Sequence, residues 1–197
     1  MSLLMIGDEV PNVLCTSSVG RFRLHDIIDG AWGVIVSVGG AFDAVATTEL
    51  GALAKLNEEF RARNARILVF LDASDEALGK WVPQVEELED CRIAVPLVLS
   101  DHFDGPVVWL VDIDRRIRFS LRQPSSTGRN FYEVLRTLDT LQLAMFHRVA
   151  TPANWVYGED VLVPSHLSAR AARTIFPEGL VVEARPWYRT TPQPDTR

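Results

Sequence analysis

Few residues of this chain combine a reactive type with a placement that could do chemistry. Asp43 stands just ahead of an apolar helical pattern. A carboxylate there can act as an acid or base if burial raises its pKa, or it can simply cap the helix. Gly39 and Gly40, which precede it, can offer backbone N–H groups to an anion. No Gly-x-Gly-x-x-Gly or Walker pattern follows them, so flexibility is the simpler account. His102 follows Asp101 on a short polar loop without metal-ligand spacing, and no metal or other cofactor is expected.

The chain has two cysteines, Cys15 and Cys91, far apart and in no Cys-x-x-Cys or zinc-like pattern. Cys15 sits in an apolar alternation and Cys91 behind an acidic helix end. Neither has the electropositive, helix-opening context that lowers a thiol pKa, so both read as inert. A disulfide between them stays open from sequence alone.

With 197 residues, 47% of them hydrophobic, the chain can bury a core and carry an appendage. The net charge of −6 is dispersed, which argues against a nucleic-acid surface. No run of about 18 apolar residues is present, and the opening Met-Ser-Leu-Leu-Met-Ile-Gly-Asp is too short for a signal peptide. No membrane association is expected, and a cytoplasmic location is the default.

The elements that would position Asp43 alternate between strand and helix, which indicates an α/β layer architecture. Residues 13–16 and 22–24 read as a hairpin, and residues 33–38 as a strand too apolar to be half exposed. Beyond Thr47, Leu50, Leu53, Leu56 and Phe60 recur at about 3.6 residues, the period of an amphipathic helix. Residues 67–71 form a further buried strand, and Ser74 caps a helix carrying Leu78 and Trp81. Residues 95–99, 107–111 and 117–121 read as strands, the last two antiparallel. Asn130 is expected to start the longest helix, with Val134, Leu135, Leu138, Leu141 and Met145 as its buried stripe. This gives one domain over residues 1–148. Residues 149–197 carry six prolines and are expected to build no core of their own, lying instead on another surface.

Several segments, taken in order, resemble the peroxiredoxins of the AhpC/TSA superfamily, in the one-cysteine, peroxiredoxin-6-like class. They are Met5-Ile-Gly-Asp-Glu-Val-Pro-Asn12, Thr47-Thr-Glu-Leu-Gly51, Pro124-Ser-Ser-Thr-Gly-Arg-Asn130, Leu141-Gln-Leu143, Arg148-Val-Ala-Thr-Pro152 and Tyr188-Arg-Thr-Thr-Pro-Gln-Pro194. The resemblance implies a thioredoxin-like mixed sheet flanked by helices, a C-terminal dimerisation arm over residues 149–197, and a homodimer.

The departures from that pattern shape the functional expectation. Ala46 stands at the family's peroxide-attacking cysteine, Asp43 at its activating hydroxyl, Gly39 at its leading proline, and Pro106 where an arginine precedes a later strand. The expected function is therefore a binding or regulatory subunit inactive as a thiol peroxidase, for which a heterodimer with an active peroxiredoxin is a further pairing. The alternative is a repurposed enzyme acting on a small-molecule ligand in a cleft around Asp43 and Arg129.

Within that resemblance Arg129 either binds an anion or pairs with Glu49 as a structural salt bridge. Gly105-Pro106 stands where thioredoxin-like folds commonly hold a cis-proline, and both isomers remain open. Only residues 102–105 remain where the family carries a helix and a long loop, which is expected to uncover one sheet face. Trp81, Phe103 and Trp109 could then line a pocket or belong to the core. The candidate ligand-binding residues are Asp43, Glu49, Arg129, Pro106 and His102.

Overall fold

The N-terminal hairpin is closed by one serine. Leu14–Ser17 (β1) and Gly20–Arg23 (β2) pair antiparallel. The Ser17 hydroxyl donates to the Gly20 carbonyl at 2.7 Å and accepts from the Val19 N–H at 3.2 Å. The computed structural model describes residues 4–100, 103, 105–176 and 181–195. After β2 come a short helix, Leu24–Ile27 (α1), and the strand Trp32–Ser37 (β3), which is buried at all six positions.

The Asp43 side chain caps Ala44–Ala62 (α2), so the helix begins three residues before Thr47, where the sequence pattern starts. At 19 residues α2 is the longest helix, not the one after Asn130. Ala65–Leu71 (β4) then runs parallel to β3, as a strand-helix-strand crossover requires. Ser74 caps Asp75–Glu89 (α3) by accepting from the Ala77 N–H. α3 packs so closely on α2 that a Cβ at Gly51 would lie 2.4 Å from the Glu89 side chain.

Leu97–Leu99 (β5) is shorter than the apolar run suggests, because Pro96 has no N–H to add to the ladder. Val107–Val111 (β6) pairs antiparallel with β3 and with Ile117–Arg122 (β7). The turn between β6 and β7 is organised by Asp112, which is fully buried and accepts from the Asp114 and Arg116 N–H groups, each at 2.9 Å. The seven strands lie in the order β2-β1-β5-β4-β3-β6-β7, with β3 and β4 near the centre.

Two compact units are present, over residues 4–131 and 132–195. Phe131–His147 (α4) supplies most of its length to the second. Along it Val134 and Leu138 are buried as expected, but Leu143 is buried where Leu141 and Met145 are only half-buried. The second unit continues with Val161–Leu162 (β8), Ala169–Ile175 (α5), Val182–Arg185 (β9) and Tyr188–Thr191 (β10), in a sheet of order β8-β10-β9.

The expectation that the C-terminal segment has no core is corrected here. Leu143, Val149, Trp155, Val161, Val163, Ala172 and Phe176 form one buried cluster. Trp155 is wholly buried, and its indole N–H donates to the Glu159 carbonyl at 3.0 Å, so a proline-rich segment closes around one large aromatic.

Candidate active site at the opening of α2

The candidate site is the turn where β3 passes into α2, at the carboxyl ends of two central parallel strands. Open α/β sheets expose their turns to ligands at this end. Glycine suits a close approach here: a Cβ at Gly40 would stand 3.2 Å from the Asp72 carbonyl, just beyond β4. Phe42 holds φ at 65°, a left-handed conformation that turns the chain into the helix, and its side chain is exposed.

Asp43 then anchors the first turn of α2. Its carboxylate accepts from the Ala46 N–H at 2.7 Å, while its carbonyl accepts from the Thr47 N–H at 2.9 Å and the Thr47 hydroxyl at 2.8 Å. The Trp81 indole N–H, from α3, donates to that same hydroxyl at 3.1 Å. The Thr47 hydroxyl is thus a part of the site that residue-by-residue reading missed; Trp81, read from the sequence as either a pocket wall or core, belongs to the core. Ala46 is buried and presents a methyl group.

One turn further on, Glu49 meets Arg129 across 80 positions of sequence. One Glu49 carboxylate oxygen accepts from the Arg129 backbone N–H at 2.9 Å and from Nε at 2.7 Å; the other accepts from Nη2. Both side chains are buried, and the Arg129 guanidinium lies 5.7 Å from the centre of the Phe131 ring. Arg129 Nη1 is buried with no hydrogen-bond partner among the described residues. The neighbouring Gly128 places this loop against Val45, in the first turn of α2.

Pro106 is half-buried at the start of β6, beside Val107, whose register partner is Ser37 at the end of β3. It therefore lies at the same end of the sheet as the α2 turn. All peptides among the described residues are trans. His102 lies outside the described residues, as does Asp101. Phe103 packs on Phe70 and Trp109 with ring centres 5.0 and 5.2 Å away, so the shortened loop covers this sheet face with an aromatic side chain. Trp109 is buried in the core.

The two thiols occupy different surroundings. Cys15, on β1, is buried in a cluster with Val10, Leu24, Phe70 and Trp109, and desolvation pushes its thiol up. Cys91 is half-buried behind α3; burial pushes its thiol up, Lys55 opposes, and Glu86, Glu89 and Asp90 add to the rise. Both cysteines are free.

Residues 6–117 match the AhpC/TSA family. The chain belongs to the AhpC/TSA family. Residues 140–179 match the C-terminal domain of 1-Cys peroxiredoxin. Among its AhpC/TSA relatives, the 1-Cys peroxiredoxin of Dictyostelium discoideum is 35% identical over 98% of this chain and 87% of its own length. Peroxiredoxin-6 of Rattus norvegicus is 33% identical over 97% of this chain and 98% of its own. Of solved structures, a yeast mitochondrial 1-Cys peroxiredoxin aligns with a TM-score of 0.88 at 30% identity, covering 96% of this chain and all (100%) of that one. A cysteine-to-serine mutant of Peroxiredoxin 6 of Arenicola marina aligns at 0.86 and 29%, covering 98% and 100%. The first unit is accordingly a thioredoxin-like peroxiredoxin sheet.

These likenesses overturn the expected function. The inactive binding or regulatory subunit, and with it the repurposed enzyme around Asp43 and Arg129, rested on Gly39, Asp43 and Ala46 in one turn, on Pro106 and on the shortened loop before it. Relatives named 1-Cys peroxiredoxin and Peroxiredoxin-6 match this AhpC/TSA chain over nearly its whole length, and a buried thiol is present in the sheet at Cys15. The expectation gave position 46 more weight than the agreement along the rest of the chain.

Proposed function

We propose that this protein reduces hydroperoxides at the expense of a thiol. The observation that carries the reading is the Arg129 guanidinium, pinned by Glu49 behind the first turn of α2 with Nη1 left to donate. A buried donor of fixed charge suits the negative charge that develops on a peroxide's leaving oxygen. A thiolate attacks the nearer peroxide oxygen, the O–O bond breaks, and the alkoxide or hydroxide takes a proton. The sulfur is left as a sulfenic acid, which two equivalents of an external thiol return to the thiol with release of a disulfide and water.

We assign the protein sulfur to Cys15. Its pKa is raised by burial alone, whereas Cys91 is raised by burial and, against the opposing Lys55, by Glu86, Glu89 and Asp90, whose charges repel a thiolate. Because Cys15 lies in an apolar cluster that includes no residue of α2 or of the 129 loop, the reaction requires local opening around β1 that brings the thiolate to the Arg129 end of the sheet, and it is slow at neutral pH. Around the peroxide, Arg129 is the donor, Glu49 holds it, and Asp43 and Pro106 shape the turn. The deciding assay is steady-state peroxide consumption with glutathione or thioredoxin as reductant. It is expected to fall in Cys15→Ser and to survive in Cys91→Ser; equal rates in both variants and the parent would refute the assignment.

The remaining parts of this reading concern assembly and place. Residues 149–197 act as a dimerisation arm and the protein is a homodimer; Trp187 and Tyr188, exposed and stacked edge to face at 5.8 Å, support an arm that covers a second copy. Native mass spectrometry at micromolar concentration tests this, a monomer being the contrary result. A cytoplasmic location is supported by the two free thiols, which suit a reducing compartment. No helix among the described residues is long and apolar enough to cross a membrane.

A further inference from the structure

The Arg129 side chain is wholly buried, yet its Nη1 meets no hydrogen-bond partner among the described residues. A buried N–H without an acceptor is destabilising, so its position points to an oxygen that arrives from outside. Glu49 takes Nε and Nη2, and the flat guanidinium fork then turns Nη1 away from that carboxylate. A Cβ at Gly128 would stand 3.8 Å from the Val45 side chain, which sets the 129 loop on the first turn of α2.

Charge decides which kind of oxygen fits. Arg129 is already neutralised by Glu49, both of whose carboxylate oxygens accept from it. Asp43 adds a second carboxylate at the opening of α2, held by the Ala46 N–H at 2.7 Å. At 1.5 Å of rise per residue, Asp43 and Glu49 are about 9 Å apart along the helix axis, close to a Debye length at physiological salt. Asp72, exposed just beyond β4 with its carbonyl beside Gly40, is a further carboxylate at this end of the sheet. The cations stand farther off or to the side. Lys55, the first lysine of α2, is about 18 Å along the axis from Asp43 and pairs with Glu89 at 3.4 Å. Arg122 ends β7, exposed and two strands away from β3. Asp43, Glu49 and Arg129 therefore sum to one negative charge. The positive end of α2 offers an anion little, because the Asp43 carboxylate already caps it.

We propose that Asp43 is a specificity-determining residue: the Arg129 site takes an uncharged oxygen acceptor and turns anions away. Resting on the peroxide reading above, this makes the substrates neutral hydroperoxides and excludes peroxides that carry a negative charge. Attack by a thiolate then brings one negative charge to the site instead of two, and a second would meet the Asp43 carboxylate without a free cation to offset it.

The test is an NMR titration of the full chain with acetamide and acetate, two probes of one shape that differ in charge. The Ala46 amide and Arg129 Nε signals are followed in the parent and in Asp43→Asn, which keeps a capping oxygen. Acetamide is expected to shift both signals saturably, and acetate to bind more weakly. Asp43→Asn is expected to strengthen acetate binding about tenfold at about 0.01 M ionic strength and about threefold at about 0.15 M, with acetamide unchanged. A purely structural cap would not give that salt dependence. No saturable shift with acetamide, acetate binding as tightly as acetamide in the parent, or an acetate affinity that Asp43→Asn leaves unaltered would each overturn the proposal. Turnover of cumene hydroperoxide against its para-carboxylate is a separate readout, in which the neutral compound is expected to react faster and equal rates would overturn the substrate assignment. Loss of all turnover while acetamide and acetate remain distinguished would overturn the peroxide reading and leave the role of Asp43 supported.

Discussion

Glu49 and Arg129 form a buried bidentate pair in which the carboxylate also accepts from the Arg129 backbone N–H at 2.9 Å. The interaction fixes the 129 loop against α2 and leaves one guanidinium nitrogen undirected. Removing one partner leaves a charge stranded in the interior, so Glu49→Ala or Arg129→Met is expected to cost about 3–5 kcal/mol. The double variant Glu49→Leu/Arg129→Met is expected to recover much of that loss. Urea unfolding of the four proteins in a double-mutant cycle measures both.

The Asp43 cap has a smaller, local value. Asp43→Ala removes the acceptor of the Ala46 N–H and is expected to lower stability by about 1 kcal/mol, whereas Asp43→Asn keeps a capping oxygen and most of the stability. Thermal unfolding of the two variants distinguishes a cap from a group needed for its negative charge.

How much of this was legible in the sequence follows from the range of the interactions involved. The α/β alternation, the apolar β3 and the Leu50, Leu53, Leu56 and Phe60 stripe are local, periodic signals, and each lies where the pattern put it. Asp43 as a cap is equally local. The Glu49–Arg129 pairing spans 80 residues and entered only through the family resemblance. The orphaned Nη1 depends on how three elements close around one side chain, and no sequence pattern carries that. The core of the second unit was hidden for the same reason: proline-rich composition concealed a cluster gathered from α4, β8 and α5 around Trp155. The functional expectation failed because Gly39, Asp43, Ala46 and Pro106 describe one end of the sheet and do not report on thiols elsewhere in the chain.

Trp155 holds the second unit as a single anchor. Trp155→Ala leaves a cavity among Val149, Val161, Val163 and Phe176, and is expected to cost about 3–5 kcal/mol within that unit. Hydrogen exchange is expected to rise in β8 and β10 and to stay unchanged in β3 and β4.

The raised Cys15 thiol gives a signed pH dependence. The folded state holds its proton more tightly than the unfolded chain. The associated stability is therefore complete below the unfolded thiol's pKa and is lost as pH rises to the folded one. Cys15→Ala is expected to lose less stability than the parent between neutral and alkaline pH, as read by urea midpoints across that range. Peroxide reduction is expected to accelerate with pH over the same interval, because the thiolate fraction rises about tenfold per unit until the folded pKa is reached.

The central claim is that a sulfur of this chain is oxidised by peroxide with Arg129 assisting. Treating the protein with hydroperoxide in the presence of dimedone, then locating the adduct by peptide mass spectrometry, measures this directly. The account predicts a dimedone-trapped sulfenic acid on Cys15, formed faster at higher pH and more slowly in Arg129→Met. Absence of an adduct on Cys15 while peroxide is consumed, or an adduct whose rate ignores Arg129, would contradict it.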